Sequence, residues 1–164
     1  MAVPMPDDED IITEIIKREG GLVNDPLDPG GVTFHGISKR ANPEAWAHGQ
    51  PTEAEVRAIY DAKYVVGPGW ARLEDDRLKA QCIDWSVTSG PHLVIMEMQK
   101  LLGLTVDGIL GPITLAAIKA KDARTLNNLI MVAHIKMITR LLVRNPSQLR
   151  FAQGWVSRAC EFLF

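Results

Sequence analysis

Apolar residues recur along this chain at helical spacing far more often than at strand spacing. Ile11, Ile12, Ile15 and Ile16 share one face of a helix read over 8–18. Acidic residues crowd its first turn, where the helix dipole favours them. Gly20-Gly21 ends that helix, because glycine accepts the backbone angles of a helix C-terminus, and Glu19 is left at its C-terminal edge. The periodicity then lapses. From Gly20 to Ile37 turn formers dominate: Asn24-Asp25-Pro26, then Asp28-Pro29-Gly30-Gly31. They predict a shaped loop or a short β excursion with little core, the kind of segment that often carries function.

Helical spacing then resumes and persists. Ser38–Ala47 reads as a helix that Pro43 weakens. Thr52 and Glu55 form a capping-box pattern that opens a helix over 53–64, broken at Pro68-Gly69. Further helices are expected over 76–88, 92–102, 112–119, 126–144 and 148–162. Ser89-Gly90-Pro91, Gly103, Asp107-Gly108 and Gly111-Pro112 punctuate them. The expected class is mainly α, with no strand outside the glycine-rich loop.

Composition narrows the function more than the fold. The 164 residues are 46% apolar, enough for one compact domain or two small lobes on a shared core. A net charge of −2 supplies no basic field for nucleic acid and none for an anionic wall polymer, so wall binding would need a local groove. Met1–Asp10 is acidic and lacks the basic start and apolar run of a secretory signal, so synthesis as a cytoplasmic chain is expected. Leu126–Val143 is the most apolar later stretch. His134, Lys136 and Arg140 interrupt it, which fits a buried amphipathic helix and no membrane insertion. Cys82 and Cys160 form neither a CxxC pair nor a zinc-ligand spacing and are read as reduced, buried thiols.

The spacing with chemical content is Glu19, Asp28, Thr33. Glycoside hydrolysis needs an acid to protonate the leaving oxygen and a second group to position water or stabilise charge at the sugar carbon. A helix end holds Glu19 rigidly, and a partly apolar wall would favour its protonated form. Asp28 and Thr33, on the loop, would face it across a cleft. From spacing alone, the commoner reading of a carboxylate before Gly-Gly is a solvated helix-end residue.

The wider motif points further. The run Arg18-Glu19-Gly20-Gly21-Leu22-Val23-Asn24-Asp25-Pro26-Leu27-Asp28-Pro29-Gly30-Gly31-Val32-Thr33-Phe34-His35-Gly36-Ile37-Ser38 resembles the signature of the glycoside hydrolase family 108 muramidases. That family includes phage endolysins and bacterial secretion activator proteins. Ala58–Tyr64, Ile83–Pro91, Met98–Leu115 and Phe151–Arg158 resemble successive family segments, the third of them the start of a C-terminal peptidoglycan-binding region. Leu22, Phe34, His35, Val65 and Thr88 depart from the usual residues and bear on sugar-subsite detail.

The resemblance implies a lysozyme-like catalytic domain over 8–95, packed on a helical peptidoglycan-binding domain over 96–164. It implies cleavage of the β-1,4 bond between N-acetylmuramic acid and N-acetylglucosamine, with Glu19 as general acid and Asp28 and Thr33 holding the water. No metal or organic cofactor is implied. The implied partner is bacterial peptidoglycan, reached as a monomer after release through a holin pore or a secretion system. Asn24, His35, Tyr64, Asp84 and Ser89 are the substrate-binding candidates. His35 equally suits a surface loop, Tyr64 a packed helix end, and Asp84 a cap on a neighbouring loop. Tyr60, Trp70 and Trp155 are read as core aromatics, and Arg144, Arg150 and Arg158 as scattered surface cations. Two other readings stay open: a lytic transglycosylase, in which the sugar's own hydroxyl attacks, and a non-catalytic wall-binding secretion helper.

Overall fold

The computed structural model describes residues 8–24 and 31–163, with side chains from residue 11 onward. The first helix, α1 (Asp8–Arg18), forms as its isoleucine stripe requires: Ile11, Ile12 and Ile15 are buried and the other face is solvated. The Glu19 amide still donates to the Ile15 carbonyl (3.1 Å), so Glu19 rides on the last turn of the helix.

The glycine-rich segment makes three short strands, β1 (Leu22–Val23), β2 (Thr33–Phe34) and β3 (Ile37–Ser38), in an antiparallel meander. Between β2 and β3 stand His35 and Gly36, with φ of +45° and +77°. A two-residue hairpin with both central residues at positive φ matches the right-handed twist of its strands. The loop expected here is thus a small sheet closed by one tight turn.

Of the helix expected over 38–47, only a 3-10 turn at Pro43–Trp46 forms. Pro43 starts it, and the Trp46 indole donates to the Ile37 carbonyl (3.3 Å), which ties the turn to β3. The capping box is complete in α2 (Glu53–Tyr60): Glu55 N–H donates to the Thr52 hydroxyl, and Thr52 N–H to the Glu55 carboxylate. The helix does not continue to residue 64 in α form. It widens into a π-helical stretch, Asp61–Val66, closed where Gly67 N–H reaches the Ala62 carbonyl (2.9 Å), and a 3-10 turn follows at Trp70–Arg72.

The central element is α3 (Asp76–Ser89), capped by the Asp75 side chain. Leu78 and every residue from Ala80 to Ser86 are buried, so this helix is enclosed on all sides. It packs against α1, against α4 (Pro91–Leu102) and against α6 (Ala123–Arg144). The short α5 (Pro112–Lys119) leans on α4 and α6. After a 3-10 stretch at Pro146–Phe151, α7 (Ala152–Cys160) folds back onto α6. One hydrophobic cluster runs from Ile11 through Trp70, Trp85 and Met98 to Phe162. The fold is mainly α and lysozyme-like, as the spacing and the resemblance implied. Cys82 is buried, which pushes its thiol well above the usual range, whereas Cys160 is only partly covered.

Candidate active site

The β2–β3 turn decides where Glu19 sits. A methyl group on Gly36 would stand 2.6 Å from the Tyr60 hydroxyl and 3.2 Å from a Glu19 carboxylate oxygen. Gly36 therefore serves twice: it accepts the positive φ and it lets the hairpin backbone lie directly against the carboxylate. Two bonds hold the hairpin there. The Tyr60 hydroxyl donates to the His35 carbonyl (3.0 Å), and His35 Nδ1 pairs with the Ile16 carbonyl (3.2 Å), an arrangement that places the proton on Nδ1. Burial, and after it the neighbouring Glu19 carboxylate, push the Tyr60 phenol well above its ordinary value, so it acts as a fixed donor.

Glu19 itself is exposed and faces a cleft of about 370 Å³. Val87, Thr88 and Ser89, the last turn of α3, form one side. The opposite wall comes from the far end of the chain: Met137, Ile138 and Leu141 on α6, and Trp155 on α7. His134 lies beside them, nearly buried, with its ring stacked on Trp85 at 4.4 Å. Burial first, and then the charge of Arg158, push its imidazole down to about 4. It is neutral at any pH near 7. Trp155 stacks in turn on Phe151 at 5.7 Å, and the Arg150 guanidinium lies over that second ring at 4.7 Å. Flat apolar rings beside polar groups suit the faces and edges of a sugar.

Arg158 completes the cleft. Its Nε and Nη2 fork onto Asp84, which is 1% exposed, at 2.8–3.0 Å. Burial pushes the Asp84 carboxyl up, while the two-pronged guanidinium pulls it back toward the charged form. For Arg158 burial works against the charge, but Asp84, and beyond it Glu19 and Glu161, hold its pKa above the usual value. Arg18, next to Glu19 in sequence, reaches Asp84 at 3.6 Å and Glu161 at 2.6 Å. The acid's end of α1 is thus pinned to α3 and α7 through charge.

Among the residues expected to act, the structure gathers Glu19 and Ser89 at one cleft. Asp84 is not among the lining residues and joins them through Arg158, which bonds both of its oxygens. Thr33 is half-buried in β2 and its hydroxyl donates to the Gly31 carbonyl (3.3 Å). Asn24 is exposed at the end of β1, and Asp28 lies outside the described residues. His35 is an anchor of the hairpin. Tyr64 packs on Tyr60 at 5.5 Å, away from the cleft-lining set.

Trp155, read from sequence as core, and Arg158, read as a surface cation, both line the cleft. The signal was present but ambiguous. Residues 155 and 158 share one face of a helix, as do His134, Ile138 and Leu141, and an apolar face at that spacing reads as core. A larger depression of about 420 Å³ lies between the Arg72–Asp75 segment and α5 and shares no residue with this cleft. Glu74, Asp75, Lys119 and Lys121 line it, with Lys119 and Glu74 paired at 2.5 Å.

Comparison with known proteins agrees with this geometry. Residues 12–90 match the glycosyl hydrolase 108 family model, and residues 94–160 match the Predicted Peptidoglycan domain. The solved structure of Brucella abortus SagA is similar over 94% of this chain and 90% of its own, with 27% identity and a TM-score of 0.71. No curated protein matches the chain in sequence. A glycosyl hydrolase 108 region followed by a peptidoglycan domain, in a chain superposable on SagA almost from end to end, supports a role in hydrolysing or binding peptidoglycan.

Proposed function

We propose that the chain is an N-acetylmuramidase that hydrolyses the β-1,4 bond between N-acetylmuramic acid and N-acetylglucosamine and lyses bacterial walls as an endolysin. One observation supports this most: Glu19 stands on a rigid helix end and faces a cleft whose opposite wall is apolar and aromatic. Glu19 gives its proton to the glycosidic oxygen as the bond to the sugar carbon breaks. The bonding electrons leave with that oxygen, and the sugar carbon becomes oxocarbenium-like. Water, positioned by Asp28 and by Thr33 on the same hairpin that supports Glu19, adds to that carbon; the proton it gives up passes to solvent, from which Glu19 regains its own. Ser89, which lines the cleft, and Asn24 at the exposed end of β1 contact the glycan, while His35 and Tyr64 act by holding the hairpin and α2 in place. We assign catalysis to a unit spanning about 8–95 and wall binding to the helices of 96–164.

A lytic transglycosylase is the second reading, because Glu19 is the only carboxylate lining the cleft among the described residues. Digestion of purified sacculi by wild type and Glu19→Gln, with fragments weighed by mass spectrometry, separates the readings. The muramidase yields reducing muropeptides from wild type alone. Anhydro products would replace it with the transglycosylase, and binding without products from either protein would leave a wall-binding role.

A further inference from the structure

The ion pair behind the cleft is built in an unusual order. Asp84 is enclosed in the most buried helix of the fold, 1% exposed, and both of its oxygens accept from Arg158. Arg158 uses Nε and Nη2 for that fork, and its side chain keeps 20% of its surface open on the cleft that it shares with Glu19. A buried carboxylate therefore holds the guanidinium, and the acid lines the same cleft. A pair placed only to join α3 to α7 has no need to stand beside the reacting group, and burying it costs desolvation that apolar residues of the same volume would avoid.

We infer that Arg158 is a positioning residue for Glu19: its guanidinium sets the electrostatic surroundings of the acid, and Asp84 sets how much of that positive charge the acid feels. The catalytic meaning of this rests on Glu19 being the acid; the electrical coupling does not. Other charged and titratable groups face the same corner. They are Arg18 from α1, His35 from the hairpin, Tyr60 from α2, His134 from α6 and Glu161 after α7. Of these, Arg18 is already paired with Glu161, His134 is held neutral, and Tyr60 keeps its proton. Arg158 is the cation hydrogen-bonded to Asp84 by a fork, whereas Arg18 reaches that carboxylate only at 3.6 Å and bonds Glu161.

The test uses the full chain with carbon-13-labelled glutamate carboxyls. The Glu19 resonance is assigned by its loss in Glu19→Gln and followed by NMR as pH is varied. Arg158→Gln removes the cation and should move the Glu19 titration upward by roughly half a pH unit or more. Asp84→Asn leaves the guanidinium uncompensated and should move it downward. The double variant removes both charges and should return it close to wild type. Arg158→Lys keeps the charge without the fork and should leave the titration near wild type; it also carries the comparison with Arg158→Gln if Asp84→Asn does not fold, which circular dichroism would reveal. On sacculi, the alkaline limb of the pH–rate profile should move in the same directions. Opposite displacements in Arg158→Gln and Asp84→Asn establish the coupling. Unmoved titrations in folded proteins, or displacements of the same sign, overturn it and leave a structural clamp. Coupling seen by NMR in a protein that releases no muropeptides would overturn the hydrolase reading and leave this one standing.

Discussion

Two glycine turns in this protein, both gripped by helices, are built in opposite ways. The turn at Asp107-Gly108 is saturated with hydrogen bonds. Gln99 on α4, 1% exposed, donates to Asp107 Oδ1 (2.7 Å), the Ile109 carbonyl (3.1 Å) and the Thr114 hydroxyl (3.1 Å). Its carbonyl oxygen accepts from the Asp107 and Gly108 amides at 3.1 and 2.9 Å. Gly108, at φ +72°, lies against the His92 ring so closely that a methyl group would stand about 2.0 Å from it. The turn at His35-Gly36 belongs to a sheet of two-residue strands, with Leu22 and Val23 open to solvent. Two side-chain bonds hold it, and it leaves Glu19 exposed. Where backbone groups are buried and fully paired, a turn serves stability. Where the backbone is left thin and solvated, it serves access to a carboxylate.

The largest effect should come from the exposed turn's cargo. Glu19→Gln is expected to lower muropeptide release by about 10²–10⁴-fold, the usual worth of a placed general acid, with the thermal midpoint nearly unchanged. A large loss of stability in Glu19→Gln would show that the acid is a structural element after all. Gln99→Leu should do the reverse. It keeps the side-chain volume but strands two amides and takes the donor from three acceptors, at a cost of about 3–4 kcal/mol in denaturant unfolding. Activity per folded molecule should stay near wild type. If catalysis fell with stability intact, the division between the two turns would fail.

The same contrast governs what could be read in advance. The isoleucine stripe of α1, the Thr52–Glu55 capping box and the proline starts of α4 and α5 are local signals, and each element formed close to where its signal stood. The π-helical stretch at Asp61–Val66 was not legible. Its widening depends on how Gly67 and Pro68 close the helix over buried Val65, a matter of packing and not of residue spacing. Glu19 could be singled out because the motif around it is contiguous. The wall of Met137, Leu141, Trp155 and Arg158 could not, because tertiary folding alone brings α6 and α7 opposite α1. An apolar helix face that lines a cleft has the same periodicity as one that fills a core. Asp84 shows the converse: from sequence it suited a cleft position or a cap on a neighbouring loop, and tertiary folding pairs it with Arg158.

The buried wall should also respond to pH. His134 titrates near 6.5 when unfolded and about 4 when folded, so between those values the unfolded chain binds more protons. Stability should hold above pH 6.5 and fall as the pH drops through that window, by up to about 3 kcal/mol. Replacing His134 with Phe, which keeps the stack on Trp85, should flatten this slope in unfolding measured at a series of pH values. An unchanged slope would assign the acid sensitivity to other groups.

The smallest expected loss of activity, and the one that tests both turns together, is that of Gly36→Ala. The new methyl group meets the Tyr60 hydroxyl at 2.6 Å and Glu19 at 3.2 Å, at a φ of +77° that alanine adopts only with strain. The backbone term and the displaced tyrosine hydroxyl together should cost about 1–2 kcal/mol, because the solvated strands can shift to relieve the clash. That relief is what should harm the reaction. Moving the hairpin moves the carboxylate off the glycosidic oxygen, and general acid catalysis depends on proton-transfer distance. Activity should therefore fall by at least about tenfold, well beyond the fraction unfolded at the assay temperature. Gly108→Ala, measured in parallel, should lose stability through the strain of alanine at a φ of +72° and keep its specific activity, since that turn does not line the cleft. If Gly36→Ala lost stability alone, the hairpin would be a brace for α1 and α2, and the placement of Glu19 would be due to the helix end by itself.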